Sequence, residues 1–286
     1  MNDLKLKCVS IFVVVLTILL FCSCSDSSDD ASLIKSELRP SKNILSPKCK
    51  VVSFSIINMY FDELKNLTLA GNPNFTERLN LSYSNNRIVQ VQGGLWKTPS
   101  GGSQTYYFWR NDFVEDVVYS ENKITVNSVG FYSKEFVIAH GKIQSQKTTY
   151  NPGLSFLNIV NYSSGLHEYQ YIGNTIVETT NGQTRRIFYI ENGNLVKVEL
   201  FFRDATNQIY KKIEYLLSNY DNTPNLLKGK FFIHGNFFKA FSNNNFKKFE
   251  MKAYNFVEGT YQLDPNEYAQ FTFNSIPADM FIQDCN

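Results

Sequence analysis

No apolar run in this chain is long enough to cross a bilayer as a helix. The longest, residues 11–21, spans eleven positions with Thr17 inside it, against the roughly 20 that a spanning helix needs. An excess of charge of one sign is missing too. The chain has 28 Lys and Arg against 26 Asp and Glu, net +2, without a basic block, which argues against a nucleic-acid surface. Catalytic punctuation is equally absent. There is no GxSxG elbow, phosphate loop or HExxH, and His140, His167 and His234 stand far apart, so each is expected at a turn or on the surface rather than on a metal. No cofactor is expected. The glycines at 93–94 and 101–102 follow no dinucleotide pattern and read as a hairpin loop around Trp96. Asp62/Glu63, Glu115/Asp116 and Asp264/Glu267 are carboxylate pairs of the kind a glycosidase uses. The first two are sequence neighbours, and neighbours in a strand face opposite ways, which suits joint action poorly. The chain is therefore expected not to be an enzyme.

What is present at the N-terminus is an address. Lys5 and Lys7, the short apolar run, then Phe21-Cys22-Ser23-Cys24 and an acidic stretch through Asp30 form a secretory signal. It resembles the lipobox of bacterial lipoproteins, whose cysteine is acylated and becomes the first mature residue. Ser23 is a small residue before Cys24, whereas Phe21 is a bulky one before Cys22, so Cys24 is the expected lipidation site. Asp26, Asp29 and Asp30, with no basic residue before Lys35, resemble the export signals of Bacteroidetes lipoproteins that reach the outer face of the outer membrane. The resemblance implies an outer-membrane, lipid-anchored protein facing the cell exterior; the alternative is the periplasmic face. Of five cysteines, Cys8 and Cys22 leave with the signal and Cys24 takes lipid. Cys49 and Cys285 remain as an even pair in an oxidising compartment, and a disulfide between them is expected. By the chain-entropy model it contributes at most about 5 kcal/mol.

Three regions follow: a signal peptide over 1–23, a flexible Ser/Asp/Lys-rich tether with Pro40 and Pro47 over 24–48, and a β-hairpin-repeat domain over 49–286. Aromatic residues reach 15% and Asn is abundant, a mixture of strand formers and turn formers. A tyrosine recurs before a short Asn/Gly turn and an aliphatic residue: Tyr83 to Ile88, Tyr119 to Ile124, Tyr171 to Ile176 and Tyr189 to Leu195, with Ile138 to Ile143 as a weaker copy. Asn and Gly supply the positive φ that tight hairpins require. Another hairpin is expected at Asp264-Pro265-Asn266-Glu267, between Tyr261/Leu263 and Phe271/Phe273. Residues 226–241 are apolar without alternation and predict a short helical or irregular insert near 225–242.

These repeats, the segment Tyr220-Asp221-Asn222-Thr223-Pro224-Asn225 and Ser242-Asn243-Asn244-Asn245 resemble uncharacterised Bacteroidetes surface lipoproteins with YD/RHS-like β-hairpin repeats, a domain of unknown function. The resemblance implies an all-β fold, an antiparallel meander of repeated hairpins in an open twisted sheet, and supplies no catalytic residues. Trp96, Tyr107 and Trp109 are the expected ligand contacts, since exposed rings stack on sugars or anchor proteins. The expected function is non-enzymatic: a cell-envelope protein held to the membrane through its lipid and binding a glycan or an envelope protein. The alternatives are a structural spacer in an outer-membrane assembly and a glycan-acting enzyme built from distant carboxylates.

Overall fold

Most tight turns between adjacent strands need one or two residues at unusual dihedrals, and this sequence places mainly Asn and Gly at those positions. Asn85, Asn86, His140, Gly141, Gly173, Asn181, Gly182, Asn192, Gly193, Glu258 and Gly259 all have positive φ, where Gly and Asn carry little steric penalty. The result is a hairpin ladder. The structure is a computed structural model that describes residues 50–55, 78–99, 105–128, 130–150, 165–233, 236–272 and 281–284, all within one compact unit, 43–286. The strands are β1 Lys50–Ser55, β2 Arg78–Ser84, β3 Arg87–Pro99, β4 Thr105–Tyr119, β5 Lys123–Ser128, β6 Tyr132–Ala139, β7 Lys142–Tyr150, β8 Gly165–Ile172, β9 Thr175–Thr180, β10 Gln183–Glu191, β11 Asn194–Arg203, β12 Ile209–Ser218, β13 Lys248–Val257, β14 Thr260–Thr272 and β15 Phe281–Asp284.

All fifteen lie in one sheet, ordered β14 back through β1 and then β15, and every pairing is antiparallel. The fold is therefore the expected open meander, with more strands than the roughly dozen that the hairpin count suggests. The expected turns fall in register: Tyr83 faces Ile88, Tyr119 faces Ile124, Tyr171 faces Ile176 and Ile138 faces Ile143. Leu195 instead faces Ile190, across a bulge that begins after Tyr189. One expected turn is corrected. Asp264-Pro265-Asn266-Glu267 is a bulge inside β14, and the hairpin turns at Glu258–Gly259. Pro265 is tolerated because β14 is an edge strand, where a missing N–H costs the ladder nothing.

The sheet is curved by its own connectivity. Laid flat, fourteen inter-strand steps would separate β14 from β15 by about 67 Å. Yet nine Cα steps join Thr272 to Phe281, a reach of at most about 34 Å. The two edges, not hydrogen-bonded to one another among the described residues, must therefore approach.

The two faces differ sharply. One carries the core: Leu79, Val91, Val126, Ile143, Phe188, Val198 and Phe249 are buried on it. The other carries a lattice of charge. Glu199 accepts from the Tyr189 hydroxyl (2.6 Å) and lies 3.3 Å from Lys212, which also bonds Glu214 (2.7 Å); Glu214 accepts from Tyr254 (3.1 Å). Lys123–Glu135 and Lys252–Glu250 repeat the motif. A strand has two faces with period two, so this alternation decides which side curls inward. The apolar side does.

Residues 221–233 and 236–245 fill part of that inner side, as turns and a short 3-10 helix, Lys239–Phe241, in agreement with the expected insert. Asparagines replace the missing ladder bonds. The Asn225 amide donates to the carbonyls of Lys239 (2.8 Å) and Ser242 (3.0 Å), and the Asn236 amide donates to those of Leu227 and Lys230. The insert's rings pack on the sheet, Phe237, Phe238 and Phe241 against Phe188, and Phe232 against Tyr119. Gly193, at φ +76°, lets Asn243 close over the β10–β11 turn, where a Cβ would run into the Asn243 amide.

Candidate functional site

Beyond the insert, the inner face turns polar without turning fully outward to solvent. Register sets Glu115, Ser128, Tyr132 and Tyr150 opposite one another in a single row across β4, β5, β6 and β7. The next row in from it places Lys134 between Val126 and Thr148. Glu115 is 1% exposed and Ser128 is 4% exposed. The Tyr132 hydroxyl donates to Glu115 Oε1. Glu115 Oε2 and Ser128 Oγ, on facing residues, have no hydrogen-bond partner. An unsatisfied buried polar atom costs about 1–3 kcal/mol, and these two stand on residues that face one another across β4 and β5, one an acceptor and the other able to donate and accept.

Rings wall this place. Phe113 packs on Phe131 (6.1 Å between centroids) and on Tyr132 (6.4 Å), and Tyr132 meets Tyr150 edge-on at 6.2 Å. Gly94 makes room for Phe113, since a Cβ there would stand 2.7 Å from the ring. Burial pushes the Glu115 carboxyl up from its usual range, against the opposing pull of Lys134 and the Tyr132 hydrogen bond. Lys134 Nζ sits 4.3 Å over the Tyr132 ring. Burial likewise pushes the Tyr150 hydroxyl well up, with the Arg185 charge acting the other way.

Arg185 links this row to a second polar cluster. A bulge between Thr184 and Arg186 in β10 brings both arginines to Glu178, at 3.3 Å and 3.5 Å. Glu178 is fully buried. His167 lies 3.4 Å from it and shares a 2.7 Å hydrogen bond with the Thr180 hydroxyl. Burial depresses the His167 imidazole to about 4, the Glu178 charge opposing and the arginines assisting, so it is neutral at pH 7.

The sequence candidates fare unevenly. Trp96 belongs to β3 and not to a loop, because Gly93, at φ +92°, absorbs a bulge between Gln92 and Gly94 and the strand continues. Register sets Trp96 opposite Phe108, Lys97 opposite Tyr107 and Leu95 opposite Trp109; the side chains of Trp96, Tyr107 and Trp109 lie outside the described part. Cys24, Cys49, Cys285, His234, Asp62 and Glu63 also lie outside the described residues. Glu115 is buried on the inner face while its neighbour Asp116 accepts from Gln90. His140 is the expected turn residue, but His167 is buried, a correction that follows from its partner Glu178. Among the described residues no group of three or more His, Cys, Asp or Glu side chains is placed to hold a metal. No described helix is long and apolar enough to cross a membrane.

Fold and site together define an all-β protein with one curled, single-sheet meander and a polar, ring-lined row on its inner face. Comparison with protein-family models and with curated proteins finds no match. Among solved structures the chain is similar to a porin-like protein from Bacteroides vulgatus ATCC 8482, with 12% identity, 82% of this chain and 95% of that one covered and a TM-score of 0.40. It is also similar to a porin-like protein from Bacteroides uniformis ATCC 8492, with 9% identity, coverage of 72% and 89% and a TM-score of 0.35. Both likenesses are loose and concern chain architecture alone.

Proposed function

We propose that this is a non-enzymatic, lipid-anchored protein of the outer membrane, facing the cell exterior, that holds a glycan on the inner face of its sheet. The single observation that carries the glycan reading is the pair of buried, unpartnered oxygens, Glu115 Oε2 and Ser128 Oγ, at the end of a row of rings. A sugar hydroxyl donates to the first and accepts from the second, and ring faces take the sugar's C–H side. The address rests on the signal and on Cys24. The polarity of the sheet supports a domain that stands in water at the membrane rather than within it. A lipid-spanning barrel is apolar outside and polar inside, whereas here the Lys–Glu–Tyr lattice lies outside the core.

Spacing supports a binder over a glycosidase. Glu115 and Glu178 stand on β4 and β9, five strand steps or about 24 Å along the sheet, where two catalytic carboxylates stand about 5–9.5 Å apart. The Cys49–Cys285 disulfide remains part of the proposal, and β1 and β15 pair at Lys50 and Asp284, the residues just inside those cysteines.

Two measurements on intact cells and purified full chain test this reading. Palmitate label is expected on the wild type and lost in Cys24→Ser, and external proteinase is expected to remove the protein from whole cells. On a glycan array, binding is expected for the wild type and at least tenfold weaker binding for Tyr132→Phe, which loses only the hydroxyl that orients Glu115. An array on which no glycan binds leaves the spacer reading instead.

A further inference from the structure

The hairpin of β13 and β14 ends in a tip that no described element covers. Every residue from Phe256 to Leu263 is exposed, so both faces of the tip stand in solvent, yet it is apolar. Phe256, Val257, Tyr261 and Leu263 are each between 40% and 52% exposed. Phe256 faces Tyr261 and Tyr254 faces Leu263 in register, and the rings of the first pair lie 5.1 Å apart. Tyr210, one residue before the Lys211 that faces Asn255, is 48% exposed and carries the block onto β12. Glu258 is the single charge from Tyr254 to Leu263. A whole aromatic side chain has 150–250 Å² of surface, so five large side chains exposed by about half present roughly 400 Å². That is about half of the ~800 Å² that each partner of a stable protein pair buries. Lys212 Nζ sits 4.7 Å over the Tyr261 ring and 5.1 Å over the Tyr254 ring. One face of each ring is thereby covered, which suits a stacked sugar poorly. Glu199 and Glu214 neutralise the same ammonium, so the block offers an anion no free charge.

We propose, building on the lipid-anchor reading above, that this hairpin tip rests in the interfacial layer of the membrane that holds the anchor, its partner a zwitterionic lipid surface. Phe256, Val257 and Leu263 leave water for the acyl boundary, while the hydroxyls of Tyr210 and Tyr261 stay among the headgroups. Glu258, at the turn, keeps the tip shallow, because a charge is costly below the interface. A contact of this size is too small to hold a free protein, but the anchor removes that need. The expected tether, residues 24–48, spans about 30 Å on average as a flexible chain and about 85 Å at full extension. It joins the domain at the start of β1, and the tip lies at the opposite end of the sheet, the ten residues of β13 or about 33 Å away. The tip is thus within reach of the bilayer, and the tether keeps its effective concentration there high. The acyl chains supply the attachment, and the tip sets the orientation.

The test is quenching by brominated phosphatidylcholine of the purified, acylated full chain in vesicles of that lipid. A reporter is introduced as Leu263→Trp or, for reference, as Val118→Trp, which is 55% exposed on β4. The wild type gives the background from Trp96 and Trp109. Leu263→Trp is expected to be quenched at least threefold more than Val118→Trp, equally at low and high salt, with the thermal midpoint of both variants unchanged. Equal quenching at the two positions in vesicle-bound chain would overturn the inference and leave the anchor reading in place. Quenching that requires phosphatidylglycerol would overturn the zwitterionic assignment. A dimer in detergent that Leu263→Ser abolishes would assign the block to a second copy and overturn it too. If the chain does not associate with vesicles at all, the anchor reading and the inference both fall.

Discussion

Lys239→Met is expected to stabilise the protein at neutral pH by on the order of 4 kcal/mol, since each tenfold change in a protonation equilibrium corresponds to about 1.4 kcal/mol. Lys239 is 4% exposed, sits in the 3-10 helix of the insert and has its ammonium 5.4 Å over the Phe246 ring. Burial depresses its amine to about 7, from an ordinary 10.5, with Asp221 holding it back. Between pH 7 and 10.5 the unfolded chain carries a proton there that the folded chain does not. Stability from this group therefore rises with pH across that window and is lost as pH falls toward 7. Below 7 the cost is constant. The variant removes that cost, and an apolar chain of similar length takes the amine's volume. Urea unfolding at pH 7 and pH 9.5 checks it. The wild type is expected to be more stable at the higher pH and the variant to lose most of that difference. Lys230, also depressed by burial, keeps a smaller slope of the same sign. On the acid side His167, neutral and depressed to about 4, makes stability fall as pH drops from 6.5 toward 4.

Phe188→Ala is expected to be the costliest single change in the core, by about 3–5 kcal/mol. The ring is fully buried and meets Tyr169, Phe237, Phe238 and Phe241, the last at 4.9 Å. It is where the insert is fastened to the sheet. The loss combines transfer of a whole ring with a cavity that the surrounding strands cannot close, because each is pinned by two ladders. Its neighbour Tyr189 points the other way, and Tyr189→Phe, which removes one hydrogen bond to Glu199, is expected to cost no more than about 1 kcal/mol. Chemical denaturation of both variants gives the comparison. Amide exchange is expected to show the insert, residues 226–241, loosening in the first variant only.

How much of this can be read from the residues depends on which signals are local. Hairpins are legible because Asn and Gly at positive φ announce a turn within four residues, as at Asn85–Asn86 and Asn192–Gly193. The insert is legible for the opposite reason, its apolar residues failing to alternate. Asp264-Pro265-Asn266-Glu267 misleads because the same residues that make a turn also make a bulge on an edge strand, and which strand is the edge is a property of the whole sheet. Gly93 suggests a loop around Trp96, but its conformational freedom serves a bulge.

The polar row is hidden by its own residue types. Glu115, Lys134, Arg185 and Glu178 read as solvent-facing by composition, and only the register, with bulges after Val137 and Thr184, shows that they share the face of Phe136 and Phe188. A signal is available in part. On β4, Phe113, Glu115 and Val117 alternate on one face and all are buried, so a glutamate there stands where an apolar residue is due.

The proposed ligand lies on the inner face, along the row from Glu115 to Tyr150. Hydrogen exchange of the purified full chain, with and without a saturating oligosaccharide selected on the array, tests it directly. New protection is expected in peptides covering 113–119, 128–136 and 146–150. Protection confined to 95–109 or to the outer lattice around Glu199 and Lys212, with the inner row unchanged, would contradict it.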